Sequence, residues 1–92
     1  MVSRSKDIKT GIFPNPTTDV INCYIEAYIG AKVNIEIFNG LGQKVSQNIF
    51  TEELNDRLAI RQIDGKDFGK GIYTVVFNID GVRYNHKLIF IE

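Results

Sequence analysis

The chain has 92 residues, 43% of them apolar and 24% charged, which is typical of one globular domain with a single core. Its 11 basic and 11 acidic residues are scattered singly, so there is no basic stripe of the kind that neutralises nucleic-acid phosphates. The mainly apolar run at residues 72–77 is too short to span a bilayer. These features argue against nucleic acid as the main partner and against a membrane span.

The N-terminal segment is polar and lacks the apolar stretch of a secretory signal peptide. We expect residues 1–9 to be a linker, or the remnant of one behind an added start codon. Residues 10–92 are then the folded domain, at the tail of a longer protein.

Turn residues recur every 8–12 positions, which predicts a series of short strands. In chain order, the strands are expected at residues 12–13, 19–25, 32–38, 44–50, 58–63, 71–79 and 82–91. The first is stopped by the Pro-Asn-Pro sequence at 14–16, because proline cannot donate a ladder hydrogen bond. The third is the clearest, since apolar and polar residues alternate along it with the period of a half-buried strand.

The second half of the chain continues this pattern. After a turn at residues 39–42 the fourth strand is expected to return with Val45 and Ile49 facing inward, and a charged loop follows at 51–56. The sixth strand is apolar on both faces, which predicts a central position in a sheet. Asp80 and Gly81 then form the strongest hairpin signal, because a type I′ turn requires positive φ at both residues.

Seven short strands in about ninety residues predict an all-β, immunoglobulin-like sandwich of antiparallel strands with essentially no helix. An open Greek-key barrel is the alternative architecture.

Catalytic interpretations are weaker than structural ones. Cys23 and His86 could in principle form a nucleophile–base pair. However, Cys23 alternates with Ile21 and Ile25 on an inward face, where a thiol acts as a small apolar group. One histidine and one cysteine also fall short of a typical zinc ligand set. We therefore expect no enzyme activity, no metal site and no cofactor.

Two glycine-rich segments, at residues 40–42 and 69–71, are not followed by a helix whose N-terminus could hold a phosphate. Gly42 and Gly81 are therefore expected to serve as turn residues. Tyr73, near the start of the sixth strand, is expected to be buried and to hydrogen-bond the preceding corner, as a tyrosine often does in immunoglobulin-like sandwiches.

Three aromatic residues fall on faces opposite the predicted core. Tyr24, Tyr28 and Phe38 would mark a sugar- or protein-binding patch if they cluster on one sheet, and mean little if they are scattered.

Three sequence blocks extend the interpretation. Residues 13–22 (FPNPTTDVIN), residues 33–45 (VNIEIFNGLGQKV) and residues 63–75 (IDGKDFGKGIYTV) occur in this order, and the basic and apolar segment HKLI follows at 86–89. Together they resemble the C-terminal sorting domains of the type IX secretion system of Bacteroidetes. The resemblance covers residues 12–92.

This resemblance implies a seven-stranded sandwich at the C-terminus of a cargo protein, recognised in the periplasm by the outer-membrane type IX translocation machinery. In many cargos a sortase-like cysteine peptidase then removes the domain, and the cargo stays at the cell surface or is released. Gly65, Lys66 and Phe68 depart from the Leu, Ser and Leu that the family prefers. Of these, Gly65 is expected to loosen the corner before the sixth strand.

Recognition by the machinery is expected at three segments: the turn Pro14, Asn15 and Pro16; the corner Lys70 and Gly71; and the terminal strand, with Lys87, Leu88 and Ile89. One hypothesis is that a partner adds a strand to an exposed sheet edge. The alternative function is a fibronectin- or immunoglobulin-like module for adhesion or carbohydrate binding.

Overall fold

The computed structural model describes residues 8–45, 50–66 and 68–91. Within these ranges the chain forms seven strands and no helix. In chain order they are β1 (Lys9–Phe13), β2 (Val20–Glu26), β3 (Lys32–Phe38), β4 (Phe50–Glu53), β5 (Leu58–Asp64), β6 (Gly71–Ile79) and β7 (Val82–Phe90). The expected all-β class is confirmed.

The strands form two antiparallel sheets, β1-β2-β5 and β4-β3-β6-β7. Pairing of β2 with β5 and of β3 with β6 places strands distant in sequence side by side, as in the two sheets of an immunoglobulin-type sandwich. The barrel alternative is wrong, because the strands divide into two separate sheets.

Alternating side chains from both sheets form the core. Along β2 and β3 the period-2 pattern is regular, and every second residue is almost completely buried. The largest fully buried side chains are Phe77, Ile21, Ile25, Ile35, Ile37, Ile79, Leu88, Val33, Val75 and Cys23. At 2% exposure or less, each of these apolar side chains contributes about 1.5–3 kcal/mol through removal from water.

The prediction of a central sixth strand is confirmed. β6 lies between β3 and β7, and its inward residues Tyr73, Val75, Phe77 and Ile79 are all buried. Val76 on the opposite face is also only 4% exposed, because side chains of both neighbouring strands flank it. A central strand is shielded on both sides, which explains its apolar residues on both faces.

The prediction of the fourth strand is wrong in position. β4 covers Phe50–Glu53, so three of its four residues fall in the segment expected to be a charged loop, and it pairs with the start of β3. The chain does turn back after β3, since Lys44 forms an isolated bridge with Phe38 and Val45 packs against the core. Residues 46–49, including the predicted inward Ile49, lie outside the described residues.

A charged segment can form β4 because Glu52 has a partner across the sandwich. Arg61 on β5 donates two hydrogen bonds to the Glu52 carboxylate, each 2.7 Å long. These bonds raise the pKa of the Arg61 guanidinium. The ion pair joins the edge strands of the two sheets, and a charge that points inward also disfavours pairing with another chain.

The sandwich has two distinct ends. The hairpin end holds the β6–β7 turn, where Asp80 and Gly81 have positive φ of 49° and 87°, which confirms the predicted turn geometry. The Tyr28 hydroxyl and the Lys32 backbone N–H both donate to the Asp80 carboxylate and tie this turn to the start of β3. The proline end, opposite, holds residues 14–16, the end of β3, the start of β6 and the end of β7.

Candidate functional site

The three segments expected to carry recognition meet at the proline end. Asn15 connects two of them, since its side-chain amide donates to the Lys87 carbonyl at 2.7 Å and accepts from the Ile89 N–H at 3.1 Å. The Asn15 side chain thus makes the two hydrogen bonds that a neighbouring strand would make with the outer edge of β7. The peptide bonds before Pro14 and Pro16 are both cis.

Thr17 continues this pairing. Its N–H donates to the Ile89 carbonyl and its carbonyl accepts from the Ile91 N–H, both at 2.9 Å, which makes a parallel bridge with Phe90. Its own hydroxyl donates to the Val20 carbonyl at 2.6 Å, and the residue is 3% exposed. Asn15 and Thr17 therefore occupy the outer edge of the last part of β7, which leaves no free backbone there for strand addition.

The corner segment lies beside the terminal strand because Gly71, at the start of β6, pairs with Phe90 near the end of β7. Gly71 has φ of +148°, a backbone conformation that side-chain-bearing residues rarely adopt. Backbone geometry therefore explains the glycine at position 71, where the corner enters β6.

Accessibility separates the expected recognition residues. Pro14, Asn15, Pro16, Lys70 and Lys87 are exposed, and so is Gly71, whereas Ile89 is half-buried. Leu88 is 0% exposed and packs in the core. In the folded domain the Leu88 side chain therefore offers no surface for contact and stabilises the sandwich. Gly42, the other expected turn glycine, has φ of +83°.

Tyr73 forms the corner expected from its position. Its ring is 9% exposed and its hydroxyl donates to the Gly69 carbonyl at 2.6 Å. This hydrogen bond ties the loop before β6 to the Tyr73 side chain. The same ring packs against Phe68 and Phe90, with centroid distances of 5.4 and 5.5 Å.

Tyr73→Phe should lower the free energy of unfolding by about 1–2 kcal/mol, because the Gly69 carbonyl loses its donor while the ring packing is kept. The measurement is equilibrium denaturation of both proteins. Tyr84→Phe is the matched control, since it removes the hydroxyl of a partly buried tyrosine on the neighbouring strand β7. Equal midpoints for wild type and Tyr73→Phe would contradict the role of the corner bond.

The expectation that Gly65 loosens this corner is wrong. Its N–H donates to the Asp19 carbonyl at 2.7 Å, and its carbonyl accepts from the Phe68 N–H at 2.9 Å. A Cβ at position 65 would lie 2.3 Å from the Phe90 ring, so the ring packs directly on the glycine backbone. Gly65 makes this corner tight, because the missing side chain is replaced by an aromatic ring.

The geometry does not assemble a catalytic pair. Within the described structure no hydrogen bond joins Cys23 to His86; the His86 Nε2 lies 2.7 Å from the Thr10 hydroxyl, and its ring packs edge-on against Phe77. Burial lowers the pKa of His86 and raises the pKa of Cys23 to about 12. Both shifts oppose the thiolate–imidazolium pair that a cysteine nucleophile uses.

Cys23 should be unreactive in the native state. Its side chain is 0% exposed, and with a pKa near 12 almost no thiolate forms at neutral pH. A chromogenic disulfide reagent should therefore react only after denaturant is added. An added surface thiol, Asn85→Cys, is the control and should react at once under native conditions. Fast native labelling of Cys23 itself would show that the assigned face of β2 is inverted.

The three aromatic residues considered for a binding patch do not share one sheet face. Tyr24 lies on the outer face of the three-stranded sheet, where its hydroxyl donates to Glu26 at 2.6 Å. Phe38 lies on the outer face of the other sheet, and Tyr28 packs against the core at the hairpin end. These three aromatic residues therefore do not cluster on one sheet and do not form a binding patch.

The described residues contain no group of three or more histidine, cysteine, aspartate or glutamate residues placed to hold a metal ion. They also contain no helix with the length and hydropathy needed to cross a bilayer.

The sequence motifs did not identify two residues of the proline end. Thr17 has an ordinary turn composition around it, and nothing in that composition indicates its burial against β7. Leu41 is 85% exposed at the tip of the loop after β3. Its signal was available, because an apolar residue between two turn glycines has no core to enter.

The chain is similar to a known protein family. The model of the secretion system C-terminal sorting domain matches residues 11–92, almost the whole chain. No curated protein matches the chain. The match begins within β1 and contains all three segments that meet at the proline end. The chain therefore belongs to the family of type IX secretion C-terminal sorting domains.

Proposed function

We propose that the chain is a non-catalytic signal that directs an N-terminally attached cargo across the outer membrane through the type IX machinery. The observation that carries the proposal is the convergence of the three family segments on one end of the sandwich. Asn15 and Thr17 bond the turn segment to the terminal strand, and the pairing of Gly71 with Phe90 holds the corner segment beside that strand.

In this proposal the signal is a folded surface, because the segments adjoin only after β1, β6 and β7 have assembled. Its exposed side chains include Pro14, Asn15, Pro16, Lys70 and Lys87. Recognition by strand addition at the end of β7 is not proposed, since residues 15–17 already pair with that edge. We propose instead that the machinery contacts the exposed side chains of the proline end.

The topology also separates cargo from signal. β1 starts at Lys9, and the next residue, Thr10, contacts His86 in the middle of β7. His86 is four residues from Phe90, so the preceding chain enters the domain roughly 13 Å from the proline end. A cargo attached before β1 is therefore joined to the domain at a distance from the recognition end.

The remaining steps follow the family. The cargo carrying the domain passes through the periplasm, and after export it remains at the cell surface or is released. A sortase-like cysteine peptidase is the proposed enzyme that removes the domain, by cleavage in the chain before β1.

The test is export of a reporter fused to the N-terminus of the domain, measured for wild type and for Lys87→Ala. Lys87 is exposed and has no ion pair with a described carboxylate, so its truncation should change the free energy of unfolding by no more than about 0.5 kcal/mol. We expect the wild-type fusion to reach the surface or the medium, and the folded variant to be exported less.

Arg83→Ala is the matched control, an exposed basic residue on the outer face of β7 near the hairpin end. Retention of the wild-type fusion in the periplasm, while an established sorting domain exports the same reporter, would contradict the proposal. An adhesion module would then be the better account.

A further inference from the structure

The outer face of the four-stranded sheet carries an apolar surface at the proline end. Ile72 on β6 and Ile89 on β7 are direct partners, and Ile72 is 54% exposed. Phe38 on β3 lies on the same face beside them. The position across from Ile72 on the β3 side is Gly40, which has no side chain to cover the isoleucine.

Leu41 extends this surface beyond the sheet. It lies at the tip of the loop after β3 and is 85% exposed, the highest exposure among the large apolar residues of the described chain. These four residues, Phe38, Leu41, Ile72 and Ile89, are called the Leu41 patch below. A single exposed leucine is ordinary on a protein surface, whereas several apolar side chains grouped at one end of a sheet mark an interaction site.

The loop that carries Leu41 is held rigidly. The Asn39 side-chain oxygen accepts from the N–H groups of Leu41 and Gln43, both at 2.9 Å, and its amide donates to the Gln43 side chain at 3.1 Å. The Asn39 backbone adds bonds to Gln43 and Gly42 at 2.8 and 3.0 Å. A loop ordered before binding loses little entropy on association, which favours its use as an anchor.

Lysines border the patch. Across the sheet, Lys44, Phe38, Thr74 and Lys87 form one row of paired residues. Lys44 lies 3.3 Å from Glu36, whereas Lys87 forms no ion pair with a described carboxylate. The surface therefore combines an apolar centre with one lysine at its border, Lys87, that no described carboxylate neutralises.

We propose that the Leu41 patch is a docking surface for a protein of the secretion machinery that offers an apolar pocket bordered by carboxylates. Leu41 fills the pocket, and Lys87 faces the acidic border. This inference rests on the proposed function and adds to it the anchor residue and the chemistry of the partner. A protruding side chain fits a concave partner, and a lysine without a carboxylate of its own, Lys87, fits a negative one.

Other occupants fit less well. A second copy of this surface offers Leu41 another protruding leucine instead of a pocket, and its Glu36 carboxylate is already paired with Lys44. An anionic lipid surface matches the charge and the leucine but does not discriminate one exported domain from another. A sorting signal needs discrimination, so the protein partner is the one supported by the surface.

The test is export of the reporter fusion with Leu41→Ser, compared with Ile29→Ser. Ile29 is the matched control, because it is an apolar loop residue, 64% exposed, near the hairpin end. We expect Leu41→Ser to lower the exported fraction about tenfold or more, as loss of an interface anchor does, and Ile29→Ser to leave it unchanged. Both variants should keep the wild-type unfolding midpoint, since both side chains are exposed.

A second variant, Asn39→Ala, keeps Leu41 and removes the three side-chain bonds of the loop, while the two backbone bonds remain. It should lower the exported fraction while the rest of the domain stays folded. Circular dichroism of the purified variant checks the folding. Export of Leu41→Ser at the wild-type level overturns the patch. A wild-type fusion that is not exported contradicts the proposed function itself, and the patch proposal falls with it.

Vesicles of phosphatidylglycerol and phosphatidylcholine distinguish the lipid alternative. The purified domain should not float with them. Flotation that Leu41→Ser abolishes would mean that the patch binds a membrane, and would overturn the assignment of a protein partner.

Discussion

Phe90→Ala should lower the free energy of unfolding by about 3–5 kcal/mol, the range found when a buried phenylalanine is truncated. Phe90 is 3% exposed although it lies two residues from the end of the chain. Its ring packs edge-on against Phe68 and Tyr73, with centroid distances of 5.4 and 5.5 Å, and covers the Gly65 backbone. Its loss opens a cavity between the two sheets at the proline end.

The neighbouring residue provides the control for this prediction. Ile91 is apolar and is 46% exposed, so Ile91→Ala should cost far less than the change at Phe90. Chemical denaturation with tyrosine fluorescence measures both. Similar losses for the two variants would mean that the end of the chain contributes through general hydrophobicity, which would contradict the specific packing of Phe90.

Gly65→Ala should lower the free energy of unfolding by about 1–3 kcal/mol through overpacking. The added Cβ would lie 2.3 Å from one atom of the Phe90 ring and 3.0 Å from the Asp19 carbonyl oxygen. Gly69→Ala is the control four residues later, where a Cβ meets no atom within 4 Å. That substitution should be neutral or slightly stabilising, because alanine restricts the unfolded chain.

A double mutant tests the cause. Phe90→Leu removes the ring atoms nearest Gly65, so the pair Gly65→Ala and Phe90→Leu should cost less than the sum of the two single changes, by about 1 kcal/mol. Additive effects would show that the clash lies elsewhere, for example at the Asp19 carbonyl.

The strands were predictable because burial in a two-sheet sandwich imposes a period of two on the sequence. β2 and β3 have that pattern in full, and β6 has the apolar residues on both faces that a central strand requires. The Asp80–Gly81 turn was predictable for a different reason, since few residues tolerate positive φ. Each of these elements leaves a signal within its own segment of the sequence.

The errors have a common physical cause, which is dependence on residues distant in sequence. β4 has a charged sequence, and its Glu52 is accommodated only because Arg61 lies opposite on the other sheet. Gly65 appears permissive in isolation and becomes a tight contact only once Phe90 covers it.

The candidate site was predictable in part. The motifs identified its segments, and they could not indicate that Asn15 and Thr17 would occupy the edge of β7 or that Leu88 would be buried. Contacts between segments more than seventy residues apart leave no periodic signal in either segment.

The most direct measurement of the central claim compares one fusion in two strains. A reporter behind a secretory signal peptide and ahead of this domain is expressed in a bacterium with an intact type IX system and in a derivative that lacks the outer-membrane translocon. The exported fraction is the reporter found on the surface and in the medium. We predict export in the first strain and periplasmic retention in the second. Equal exported fractions in the two strains would contradict the assignment of this domain as a type IX sorting signal.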